Sequence, residues 1–247
     1  MTLGPNTAAR DTALGPSLRV MGRIDQTWES EGREDLYGDD IFTEAPSEID
    51  TLAHLGPLAP LAGLWQGTKG LDVHPFVAGL ETDRYLERYE LEPIDPQTNG
   101  PQLFYGLRYH THVTKIGEVG TFHDQVGYWL WEPEAARVTF TLSIPRGEVL
   151  LATGSAAPDA TSFEVRAATG ERHYGILANP FLDRAFTTVA FRMYVTINDD
   201  GTWSYEEETD LVVEGSHDVL AHTDRNTLSR LASAVANPMF EGTDGDR

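Results

Sequence analysis

The sequence predicts an all-β fold: an antiparallel up-and-down β-barrel of about ten strands with short flanking helices. Three observations predict it. From Trp65 onward, segments of alternating apolar and polar residues recur, and a period of two marks a strand with one buried face. Turn residues separate these segments, most plainly Asn198-Asp199-Asp200-Gly201, a hairpin signal. No helical stretch lies between them, so the crossovers a parallel sheet needs are missing. A chain of this size that closes one barrel of about ten strands encloses a cavity, not a solid core. The fold is therefore expected to hold a small molecule.

The elements follow in chain order. Met1 to Asp50 carries 4 basic and 11 acidic residues and is rich in Gly, Pro and Ser. Such a stretch buries too little apolar surface to offset its ordering entropy. The expected organisation is an acidic, mobile tail over 1–46 and a barrel domain over 47–240. Ser47 is placed to cap a short helix carrying Leu52, Leu55 and Leu58, which Pro57 and Pro60 keep short. Strands are expected at Leu103 to Thr114, Gln125 to Trp131, Val138 to Ile144, Ser162 to Val165, Thr188 to Ile197 and Thr202 to Val213. A closing helix is expected from about 222 to 235. Asp224 would cap it, and Leu228, Leu231 and Val235 stand at helical spacing.

Composition narrows the function. The chain has 247 residues, with 39 acidic against 18 basic and a net charge of -21. That surface repels phosphates, which argues against nucleic acid and anionic membranes as partners. Cysteine is absent, which excludes disulfides, thiolate metal sites and cysteine nucleophiles. The N-terminus does not read as a secretory leader, and no run of 18 apolar residues occurs. A cytoplasmic protein is expected, with a homodimer left open. There is no G-x-S-x-G elbow, P-loop or G-x-G-x-x-G, so chemistry falls to histidines, carboxylates or a cofactor.

The histidines have alternative readings. His110 and His112 share one face of a strand. They are either a metal-ligating pair or ordinary polar residues; the cupin pattern wants a carboxylate about four residues on, whereas Glu118 is six beyond His112. His123 and Asp124 point to opposite faces if extended. His222 follows the last strong strand, where a barrel ligand can sit. Glu206, Glu207, Glu208 and Asp210 alternate faces and read as a solvated hairpin edge.

Four blocks together resemble the nitrobindin-like haem-binding β-barrel family, which is shaped like fatty-acid-binding proteins, and most nearly its longer bacterial branch. They are Leu58 to Gly67 (LAPLAGLWQG), Phe122 to Trp129 (FHDQVGYW), Ile144 to Val149 with Gly154, and His222 with Leu228 and Arg230. The resemblance implies a ten-stranded barrel with haem b at its mouth. It implies a ferric iron that binds nitric oxide and isomerises peroxynitrite to nitrate. Carried over by position, His222 is the axial metal ligand, and Trp65, Gly63 and Gly67 are structural. Lys69 replaces the third glycine of the opening motif and is a candidate partner for a haem propionate. Asp72-Val73-His74-Pro75 replaces the family's Y-P-T-I stretch, which sets His74 near the haem. There it is a sixth ligand, a hydrogen-bond donor or a plain loop residue. Leu228 and Arg230 are shifted by one residue from the family pattern. Two readings compete with haem: a haem-free barrel holding a fatty acid or other apolar ligand, and a metal enzyme built on His110 and His112.

Overall fold

The computed structural model describes residues 36–77, 79–216 and 218–236. Most of the expected tail, 1–35, lies outside the described residues. The strands are β1 (Gly63–Phe76), β2 (Gly79–Pro93), β3 (Gln97–Asn99), β4 (Gln102–Lys115), β5 (Thr121–Glu132), β6 (Arg137–Ile144), β7 (Glu148–Ser155), β8 (Ser162–Ala168), β9 (Ile176–Ala178), β10 (Phe186–Ile197), β11 (Trp203–Val213) and β12 (Val219–Ser233). Each of the long strands pairs antiparallel with its neighbour, β1 pairs with β12, and the β2–β4 pairing completes the ring. The result is a closed ten-stranded antiparallel barrel. Two short strands are additions, β3 on β4 and β9 on β7.

One expectation is corrected. The segment from His222 to Ser233 is not a helix but most of β12. The leucine spacing suggested a helix, yet Leu231 is 56% and Val235 74% exposed. What repeats is the alternation: Asn226 and Leu228 are buried, and Arg225, Thr227 and Ser229 are exposed. Two open strand edges, β1 and β11, need a partner, and pairing with both outweighs a local preference. Asp224 therefore caps nothing and stands inside the barrel wall.

The lower end is plugged by chain that precedes β1. Helix α1 (Thr51–His54) is capped by Asp50, whose side chain accepts from the Ala53 amide, rather than by Ser47. A 3-10 turn over Gly56–Leu61 follows. Leu55, Leu58 and Leu61 are fully buried there. Trp65 donates its indole N–H to the Leu61 carbonyl at 2.7 Å. Above the plug the lumen is filled by Trp65, Trp129, Trp203, Tyr89, Tyr109, Phe140 and Phe191. Trp129 and Phe140 lie 4.3 Å apart, centroid to centroid. Rings that bury some 150–250 Å² each contribute roughly 4–6 kcal/mol gross apiece. This half of the barrel is a packed core.

The filling changes at a bulge. The β1 register slips between Gly67 and Gly70 against β2. A Cβ at Gly70 would lie 2.2 Å from the Tyr85 ring, so only glycine lets that ring cross the lumen. Beyond the bulge, β1 turns Asp72 and His74 inward instead of apolar residues.

Candidate functional site

Three layers of side chains line the lumen above the bulge. Each follows from strand register, because residues opposite one another on neighbouring strands share a level and a face. The lowest layer is Tyr85, Gly70, Asn226 and Tyr205, with Tyr85 opposite Gly70 and Tyr205 opposite Asn226. Next to it lies Glu87, 3% exposed. Its carboxylate accepts from Thr111 Oγ1 at 2.9 Å, from Tyr205 Oη at 3.0 Å and from Asn226 Nδ2 at 2.8 Å. Burial pushes this carboxyl up to about 7, against the pull of the three donors.

The middle layer is an arc of four carboxylates. Asp83 on β2 faces Asp72 on β1, Asp72 faces Asp224 on β12, and Asp224 faces Glu207 on β11. Asp72 is buried. The Lys115 ammonium donates to Asp83. Glu207 is half-buried and has no hydrogen-bond donor among the described residues. Burial, and then the charge of Asp224, raise its carboxyl well above the ordinary range.

The upper layer holds the two histidines. His222 stands opposite Thr209, and His74 opposite Glu81. Their rings are 6.2 Å apart, edge to face. Asp72 lies beneath and between them. Its Oδ1 is 2.8 Å from His222 Nε2, and its Oδ2 is 3.0 Å from His74 Nδ1. His222 Nε2 is also 3.1 Å from Asp224 Oδ2. Burial alone would lower the His222 imidazole, but its bonds to Asp224 and Asp72 win, and it is raised to about 10. The two carboxylates thus favour the imidazolium form of the ring.

The surrounding wall adds further groups. His123 is half-buried; its Nε2 meets Gln125 at 2.9 Å and its Nδ1 meets Arg146 at 3.3 Å. Burial lowers this imidazole. Hairpin tips at the same end of the barrel expose Phe76 and Leu80 (β1–β2) and Ile116 (β4–β5).

The sequence-predicted residues are thus divided. His222 and His74 are brought together over Asp72. Lys69 is exposed in the β1 bulge, below the histidine layer and on the outer side. His110 and His112 do share a face, but it is the outer one. There His110 meets Asp124 at 2.9 Å and His112 meets Thr121 at 3.0 Å. A groove of about 630 Å³ on that outer wall is lined by Arg108, His110, Val126 and Tyr128 among others, apart from the lumen cluster. Glu207 is half-buried on the lumen face rather than on a solvated edge, and Glu208 and Asp210 on the opposite face are buried. Sequence reasoning missed Asp83, Glu87, Lys115, Glu207 and Asp224 as site residues. The alternation of β12, read as a strand, would have placed Asp224 beside His222.

A closed antiparallel barrel with an aromatic floor and a histidine-bearing polar chamber at its open end is a small-ligand-binding β-barrel. The family described as the THAP4-like, heme-binding beta-barrel domain matches residues 54–230. The chain belongs to that family, in keeping with the nitrobindin-like resemblance of its sequence. A solved structure similar to it is that of Rv2717c from M. tuberculosis, with 19% sequence identity and a TM-score of 0.49, covering 73% of this chain and 96% of that one. No curated protein matches the sequence. Among the described residues no helix is long and apolar enough to cross a membrane.

Proposed function

We propose that the chain binds haem b at the open end of its barrel through His222, and that the ferric haem so held takes nitric oxide and isomerises peroxynitrite to nitrate. The observation that carries this reading is the position of His222. It is an imidazole turned into the lumen at the open end, in a chain of the haem-binding barrel family. The residues around it suit the group. Phe76, Leu80 and Ile116 offer apolar surface at the rim, and Arg146 and Lys115 offer positive charge for propionates.

Bound haem would supply a ferric iron with one coordination position left for a diatomic or peroxynitrite. The chain's own residues would do the rest. His222 can bind iron only as the neutral ring, so its Nε2 must first leave Asp72 and Asp224 and give up its proton. Asp72 would keep hold of His74 through Nδ1, leaving His74 Nε2 on the side of Glu81 and Asp83, where it can donate to a bound anion only as the imidazolium. The apolar tips would keep bulk water from the reacting face.

The test is a haem titration of the full chain followed in the Soret region. Wild type is expected to bind one equivalent. His222→Ala is expected to lose the band and to regain it with added imidazole, which separates loss of a ligand from loss of fold. Nitrate yield from peroxynitrite then tests the reaction. Unchanged haem uptake in His222→Ala would overturn the assignment.

A further inference from the structure

We infer that the same chamber binds a divalent transition-metal ion between Asp72 Oδ1, His222 Nε2 and a carboxylate oxygen of Asp224, with His74 fixing Asp72 from its other oxygen. This goes beyond the haem reading and does not rest on it. The ion and a haem iron would call on the same Nε2, so they are alternative occupants.

The geometry is that of a ligand set. One donor atom from each of Asp72, His222 and Asp224 lies within 4.8 Å of the others. The two contacts made by His222 Nε2 are 2.8 Å to Asp72 and 3.1 Å to Asp224. Donors about 2.1 Å from one ion stand about 3.0 Å apart in an octahedral shell and about 3.4 Å apart in a tetrahedral one. An ion taking the place of the shared hydrogen bond would need only small side-chain shifts. One imidazole nitrogen with carboxylate oxygens suits zinc, manganese or ferrous iron.

The charge arrangement asks for a cation. Like charges directly opposite on neighbouring strands are destabilising, and here four carboxylates stand side by side. Lys115 answers Asp83 alone. That leaves His222 between Asp72 and Asp224, His74 at the other oxygen of Asp72, and Glu207 with no ion-pair partner among the described residues. Glu207 points into the chamber beside Asp224, outside the ligand-spaced group, and no donor among the described residues reaches it, so a cation held by that group would lower the cost of its buried charge. A second ligand-spaced group, Asp72 with His74 and Asp83, shares Asp72. Its Asp83 is already engaged by Lys115, which makes the His222 group the site. His74 then acts as a positioning residue, holding Asp72 Oδ2 at 3.0 Å.

The test uses metal-free full-length protein. Co2+ is titrated by visible absorption and Zn2+ by calorimetry. One saturating equivalent is expected, with cobalt bands that indicate nitrogen and oxygen ligation. Asp72→Asn keeps the side-chain shape and is expected to weaken binding by about 100-fold or more. His74→Ala, acting through Asp72, should cost about 10- to 100-fold. Glu207→Gln should also weaken binding, which keeps a test available if the Asp72 variant melts early. His110→Ala, on the outer wall, should bind as wild type does. The absence of saturable binding of either ion would overturn the inference. So would equal affinity in Asp72→Asn, or binding lost in His110→Ala.

Discussion

Asp72 and Asp224 face each other directly across the β1–β12 pair, and His222 Nε2 lies 2.8 Å from one and 3.1 Å from the other. Two acids in that position repel, and one imidazolium holds both. The barrel is thus stabilised in two different ways. Below the β1 bulge, aromatic burial does it. Above the bulge, charge pairing does it, in a chamber whose acids outnumber its cations.

Removing the imidazolium should therefore cost stability before any ligand is considered. His222→Ala leaves Asp72 buried beside Asp224 with His74 Nδ1, 3.0 Å away, as its remaining partner. Breaking a fully buried pair costs about 3–5 kcal/mol. The His222 side chain is 30% exposed, so about 2–3 kcal/mol is expected. Chemical denaturation at pH 7 measures it. A change below about 0.5 kcal/mol, the level of an ordinary surface substitution, would show that the pair contributes little.

Glu87 should make stability depend on pH. Its carboxyl is raised from 4.5 to about 7 by burial, so the folded chain holds this proton more tightly than the unfolded chain does. The stability it contributes is fully present below about pH 4.5 and is lost as pH rises through about 7. The full change is about 3 kcal/mol. Glu87→Gln mimics the protonated acid: its amide can donate to Thr111 while its oxygen accepts from Tyr205 and Asn226. Melting curves from pH 5 to 8 should fall for wild type and be flatter for Glu87→Gln. Parallel curves for the two would rule out Glu87 as the titrating group.

At the closed end, Arg230 ties the last strand to the plug. Its guanidinium lies 4.1 Å from the Trp65 ring centroid, and it donates to the Ala62 carbonyl at 2.6 Å and the Pro60 carbonyl at 2.9 Å. A lysine keeps the charge and loses the planar fork. Arg230→Lys should lose about 1–2 kcal/mol in denaturant unfolding, from one charge-assisted bond and the stacking. Haem and metal titrations of the same variant should be unchanged, since the chamber lies at the other end. A shift in ligand affinity equal to that of a chamber variant would contradict this separation.

Most of the strands and the closed ring were legible because period-two alternation and turn chemistry are local signals, whereas His222 was singled out by the family resemblance and its direction was not read. The last strand was not. Leu228, Leu231 and Val235 imitate a helix, and only the open edges of β1 and β11 decide against it. The carboxylate arc was legible only in part. Asp72 and Asp83 sit on one hairpin, but their alignment with Asp224 and Glu207 depends on how far β1 slips at the Gly67–Gly70 bulge. A bulge offset is not written in spacing. For the same reason Glu207 read as an edge residue: its face is set by the neighbouring strands, not by its own acidic run.

The two occupants proposed for the chamber make opposite demands on Asp224, which gives the sharpest prediction. For haem, Asp224 is an obstacle, because it holds the Nε2 that must reach iron. For a divalent ion it is a ligand. Asp224→Asn removes one charge-assisted hydrogen bond from the imidazolium, worth about 1.5 kcal/mol or more, which corresponds to roughly a tenfold change in equilibrium. Haem affinity should therefore rise by about ten-fold in Asp224→Asn, while Zn2+ affinity falls by at least that factor. Asp72 still holds His222 at 2.8 Å in this variant, so the ring stays inside the chamber and both titrations remain readable. Soret titration and calorimetry on one preparation measure the pair of changes. A rise in haem affinity with no measurable zinc binding in wild type leaves haem as the occupant. A fall in zinc affinity with haem uptake weak and unaltered by the substitution leaves the ion. If neither affinity moves, His222 Nε2 is not the atom either ligand uses.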